Sequence, residues 1–80
     1  MNATERWAHG VVVRTKSESA LQAADALYAA LRDCNTAWAD AESPLGCEVV
    51  LSLLRDLGGI TNMLRALTAQ AAQQFNRDDA

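Results

Sequence analysis

Few residues of this 80-residue chain are able to do acid–base, nucleophilic or metal chemistry: one histidine, His9, two cysteines, Cys34 and Cys47, and ten carboxylates. A mechanism built on imidazole would rest on His9 alone, in an N-terminal arm with no element to hold it against a partner group. His9, Cys34 and Cys47 together make three potential metal ligands, but their spacing matches no zinc pattern, and a structural zinc takes four. Asp25, Asp33 and Asp40 recur at roughly two-turn spacing along one helical stretch, with Glu42 and Glu48 beyond it. Di-metal carboxylate bundles combine inward-facing glutamates with a Glu-x-x-His pattern, which is absent here. These carboxylates alternate with apolar residues and read as a solvated face, whose functional use would be to steer a basic partner. The expectation is therefore no enzyme, no cofactor and no metal.

The thiols read as small apolar side chains in a reducing compartment. No run approaches the roughly 20 apolar residues that span a bilayer, and the opening MNATERWAHG lacks the basic start and apolar stretch of a signal peptide. A cytoplasmic location is expected on that basis. The net charge is −3, and the seven basic residues are scattered from Arg6 to Arg77. Phosphate-backbone binding needs clustered cations, so general nucleic-acid binding is not expected.

The elements that must position these residues are helical. Half the residues are hydrophobic, few are aromatic and alanine is abundant, a composition suited to closely packed helices. Leu21, Ala24, Tyr28, Leu31, Asn35 and Trp38 recur at alternating spacings of three and four, a heptad seam that predicts a first helix from Ser19 to about Trp38, capped by Ser17 or Ser19. Glu42-Ser43-Pro44 ends it and starts the next, with Ser43 as cap and Pro44 at the first helical position. The second helix, Leu45 to about Phe75, repeats the pattern at Val50, Leu53, Leu57, Ile60, Leu64, Leu67 and Ala71, with Phe75 one residue out of phase. A short turn between long helices forces them antiparallel, so the predicted fold is an all-α hairpin. Gly58-Gly59 leaves two readings open: a continuous or kinked second helix, or a break into a third.

Ahead of the hairpin, residues 1–16 read as an arm containing a short extended segment, Val11-Val12-Val13-Arg14-Thr15, because β-branched residues favour extended backbone. A lone strand has unpaired backbone groups, so it must pair with its copy, join a partner's sheet, or lie as coil on the helices. Residues 17–76 form the hairpin domain, and 77–80 read as a solvated, disordered tail.

A chain of this length buries only about 60% of the surface its unfolded form exposes, so oligomerisation is the natural supplement. Val49 to Leu54 is apolar nearly all round and needs cover on more than one face. Asn35, in the seam, reads either as a polar residue that fixes register and oligomeric state or as one that a local rotation turns outward. Trp7 lies outside the seams and either anchors the arm or contacts another protein.

These features point to a small non-enzymatic regulator or adaptor, dimerising into a four-helix bundle and sequestering or modulating a larger protein, as a mobile-element or phage-type inhibitor would. The expected oligomer or partner interface is Val49, Val50, Leu53, Leu54, Leu57, Ile60, Leu64 and Trp7. Its expected partners are a second copy and an unidentified protein, with no membrane. The alternative is a dimeric nucleic-acid regulator in which Val11 to Lys16 pairs across the dimer, since a strand followed by two helices is also the order of ribbon-type DNA readers.

Overall fold

The computed structural model describes residues 2–75 and contains two helices, α1 (Ala3–Asp40) and α2 (Pro44–Phe75), packed antiparallel. The hairpin expected from the two seams is therefore present; its turn occupies residues 41–43, with Pro44 the first residue of α2. The expected tail, residues 77–80, lies outside the described residues.

The N-terminal arm is a correction. Val11 to Thr15 is not extended: α1 begins at Ala3, sixteen residues before the predicted start, and its cap is Asn2. The Asn2 Oδ1 accepts from the Glu5 amide at 2.8 Å, in the manner of an N-cap. Three consecutive valines each lose only a few tenths of a kcal/mol in a helix. A lone extended segment would gain no ladder hydrogen bonds and bury nothing, whereas the helix satisfies its own backbone groups and lays Gly10 and Ser17 against α2. The helical phase also continues unbroken: counting back from Leu21 by four and three reaches Ser17, Arg14 and Gly10, and Gly10 and Ser17 are buried against α2.

On α2 the buried line is Val50, Leu57, Thr61 and Ala71, with Cys47, Leu54, Leu64, Thr68 and Phe75 half-buried in the same row. This row runs at spacings of three and four from Cys47 to Phe75, so Phe75 is in phase. It keeps Val50, Leu57, Leu64 and Ala71 of the predicted seam but replaces Leu53, Ile60 and Leu67 with their neighbours Leu54, Thr61 and Thr68. The physical reason is close approach. Thr61 and Thr68 each donate their hydroxyl to a carbonyl one turn back, Leu57 O and Leu64 O, both at 2.8 Å. They are thus internally satisfied and thin, and Thr68 Oγ1 comes within 3.4 Å of Ser17 O on α1. Near the open end Gly10 is equally tight, because a Cβ there would stand 2.8 Å from the Phe75 Cβ.

The turn is a Schellman motif. The Ser43 amide donates to Trp38 O at 3.1 Å and the Glu42 amide to Ala39 O at 3.0 Å, while Glu42 takes φ of 58°. Ser43 Oγ then accepts from the Gly46 amide at 3.3 Å and starts α2. A glutamate in the left-handed region carries a steric cost that glycine does not. Glu42→Gly is expected to stabilise the chain by about 0.5–1 kcal/mol in a urea melt; unchanged stability would show that the side chain offsets the strain.

Gly58-Gly59 neither breaks nor splits α2, so the chain has two helices among the described residues. A Cβ at either position would meet nothing within 4 Å. Gly58→Ala is therefore expected to add about 1 kcal/mol of helix propensity and raise the melting temperature by several degrees. A loss of stability would mean that something packs on that glycine.

The hairpin is a rod of 59 × 17 × 15 Å with a radius of gyration of 17.9 Å, against roughly 12 Å for a compact domain of this length. Its accessible surface, 5875 Å², exceeds by about a quarter the value of roughly 4,700 Å² for a compact chain of its mass. Only Ala24, Val50, Leu57 and Ala71 form its buried hydrophobic set, and no large side chain is fully buried among the described residues.

Candidate functional site: an apolar stripe across both helices

The residues that leave the predicted seam of α2 do not scatter. Leu53 is 47% exposed, Ile60 and Leu67 each 51% and Met63 73%, joined towards the turn by Leu45 and Val49. Val49, Leu53, Ile60, Met63 and Leu67 recur along one flank at helical spacing, and Asp56 is the single charge in the row. α1 has a matching flank, which comprises Val13, Ala20, Ala23, Leu27, Ala30, Cys34 and Ala37, with Lys16 near its open end.

The two flanks lie on the same side of the rod. Asp25, one residue after the seam residue Ala24, pairs with Arg65, one residue after Leu64, at 3.6 Å. The positions that follow the seam therefore share one side, and those that precede it, Ala20, Leu27 and Cys34 on α1 with Leu53, Ile60 and Leu67 on α2, share the other. The Asp25–Arg65 pair is exposed and contributes little to stability, but it fixes which side is polar. Each helix thus carries two apolar rows, one used within the chain and one facing outward, the pattern of a bundle helix with neighbours on two sides.

At the turn the stripe widens into an apolar groove of about 300 Å³ lined by Trp38, Ser43, Leu45, Gly46, Val49 and Val50. The Trp38 indole lies directly on Gly46, where a Cβ would fall 2.5 Å from the ring. Val49 to Leu54 is therefore covered by α1 on one side only: Val50 is 4% exposed, whereas Val49, Leu51 and Leu53 stand out to solvent.

Of the predicted interface residues, Val49, Leu53 and Ile60 belong to the outward stripe. Val50, Leu54, Leu57 and Leu64 face α1 and hold the hairpin together. Trp7 is 54% exposed on α1, past the level of Phe75 and in line with the inner row. Sequence reasoning did not find Met63, Leu67 and Leu27 as interface positions; the signal was a second row of apolar residues one position before the first.

On the polar side an open groove of about 590 Å³ is lined by Tyr28, Arg32, Asp33, Asn35, Thr36 and their neighbours. It joins no nucleophile to a base. The Oδ1 of Asn35 is buried and accepts no hydrogen bond from the described residues, while the backbone oxygen of Asn35 accepts from Cys47 Sγ at 4.0 Å. An unsatisfied buried acceptor costs about 1–3 kcal/mol. Asn35→Leu is therefore expected to raise stability by about 1–2 kcal/mol, measured by thermal melting; an equal or lower melting point would show that the oxygen is satisfied in the assembled protein.

Among the described residues no three His, Cys, Asp or Glu side chains gather in one place, and no helix is long and apolar enough to cross a membrane. Cys34 and Cys47 are free thiols. Val11 to Thr15, being helical, offers no strand to pair across a dimer, and Arg14 Nε donates to Gly10 O at 3.4 Å. Comparison with protein-family models, with curated proteins and with solved structures returns no match.

Proposed function

We propose that this protein is a non-enzymatic regulator or adaptor: two hairpins join through their apolar stripes into a four-helix bundle, which then sequesters or modulates a larger protein. The observation that carries this reading is the outward row of large apolar side chains, continuous with a second row on α1 and all on one side of the rod. Contiguous apolar surface of this extent marks an association site in a soluble chain. Few side chains are buried among the described residues, so the stability of a lone hairpin is marginal. A partner present in every cell that makes the chain, at equal concentration, is a second copy.

Joining through the stripe leaves the other side outward, where Glu18, Asp25, Asp33 and Asp40 are exposed on α1. That side also carries Arg32 and Arg65, the latter paired with Asp25, so the carboxylates left to steer a basic protein are Glu18, Asp33 and Asp40. Light scattering in dilute solution tests the assembly, with a mass twice the 8.6 kDa of the chain expected; a monomer would overturn it. A photo-crosslinker at Asp33, used in the source cell, tests the regulatory role. A single larger protein, displaced by untagged dimer, is the expected product, and its absence would sink the regulator reading.

A further inference from the structure

We infer that the second copy lies with its turn at the same end as the first, placing the stripe of α2 from one chain on the stripe of α1 from the other. This rests on the dimer reading and adds its geometry. The two stripes differ in bulk: α1 presents Ala20, Ala23, Ala30, Cys34 and Ala37 around one central Leu27, whereas α2 presents Val49, Leu53, Ile60, Met63 and Leu67. Helix axes pack 8–10 Å apart according to the side chains between them. Small against large at both contacts keeps the two axes evenly spaced and lets the layers interdigitate. The opposite-end arrangement would set α1 on α1 and α2 on α2, thin against thin on one side and bulky against bulky on the other.

The levels also agree, without any adjustable slide. Within one chain Ser17 lies beside Thr68 and Trp38 beside Gly46, so residues whose numbers sum to roughly 85 share a level along the rod. A two-fold axis parallel to the rod preserves level. It therefore places Ala23 on the partner's Met63, Ala37 on the partner's Val49 and Ala20 on the partner's Leu67. Leu27 and Ile60 of both copies make the central layer. Ala30 meets the partner's Asp56, where a methyl neighbour leaves the carboxylate free to reach solvent at the rim.

The part of the face that is apolar on both helices, from Ala20 to Ala37, is roughly 26 Å long on a rod 17 Å wide. That is on the order of 450 Å² of projected face per copy and about 900 Å² for the pair, the low end of the range for specific interfaces.

Two measurements test the arrangement. A spin label at Asp40→Cys, in a Cys34→Ala, Cys47→Ala background checked for helicity, reports the distance between turn ends. Turns at the same end give roughly 25 Å, two or three interhelical spacings. A separation on the order of 55 Å, near the 59 Å length of the rod, would overturn the inference and leave the dimer standing. A monomeric mass would instead overturn the dimer reading itself. In the cysteine-containing protein, Ala23→Met and Met63→Ala are each expected to weaken dimerisation about tenfold or more, and the double variant to recover most of the loss because it restores small against large. Failure of the double variant to recover, with its helicity intact, would show that these residues do not meet.

Discussion

Leu57→Asp is expected to abolish cooperative folding. Leu57 is 8% exposed on the row of α2 that faces α1, one turn before the buried Thr61 and two turns after Val50. The substitution removes one of the few buried apolar side chains and places a carboxylate in a row of α2 that holds no charged residue. The combined cost is about 4 kcal/mol or more, comparable with the whole stability of a domain of this length. Far-ultraviolet circular dichroism with urea titration checks it, and a midpoint corresponding to within about 1 kcal/mol of the parent would show that the inner row does not hold the hairpin.

Ile60→Asp, three residues on, is expected to fail in a different way. Ile60 is half exposed on the outward stripe, so the carboxylate stays hydrated in the isolated hairpin and costs that state little. In the proposed dimer it occurs twice, beside the axis, in a layer built of leucine and isoleucine. Burying two unpaired charges there should weaken association at least about a hundredfold. The variant is expected to elute as a monomer with reduced helicity. The parent's melting temperature should rise with protein concentration while that of Ile60→Asp stays flat, because association stabilises only what associates. A dimer of unaltered affinity would exclude the stripe as the interface. The contrast between positions 57 and 60 is the sharper test, since a helix with one apolar row would respond to both in the same manner.

The seam of α1 from Leu21 to Trp38 and the Ser43-Pro44 turn were legible because each rests on local chemistry: heptad spacing, a hydroxyl cap and a proline that needs no amide donor. The start of α1 was missed because β-branched propensity at Val11 to Val13 was set against coil or pairing with another chain, and not against a helix that satisfies its own backbone groups. Reading the seam back through Ser17, Arg14 and Gly10 would have recovered it.

The site was half legible. Val49, Leu53 and Ile60 were identified as interface residues on hydrophobicity, and that same criterion drew Leu53, Ile60 and Leu67 into the intrachain seam in place of Leu54, Thr61 and Thr68. A pattern of apolar residues specifies that a face is to be buried and does not specify against what. Thr61 and Thr68 look polar in sequence, yet their hydroxyls are satisfied one turn back within α2, which leaves a thin surface that α1 can approach.

The sequence by itself determined two amphipathic helices, their antiparallel order and an excess of apolar residues on the second, because spacing, caps and turn chemistry act over a few residues. Only the tertiary structure decided which apolar row serves the hairpin and which faces outward. That choice depends on how closely two backbones can approach and on which flank the Asp25–Arg65 pair occupies, and both are properties of residues some forty positions apart.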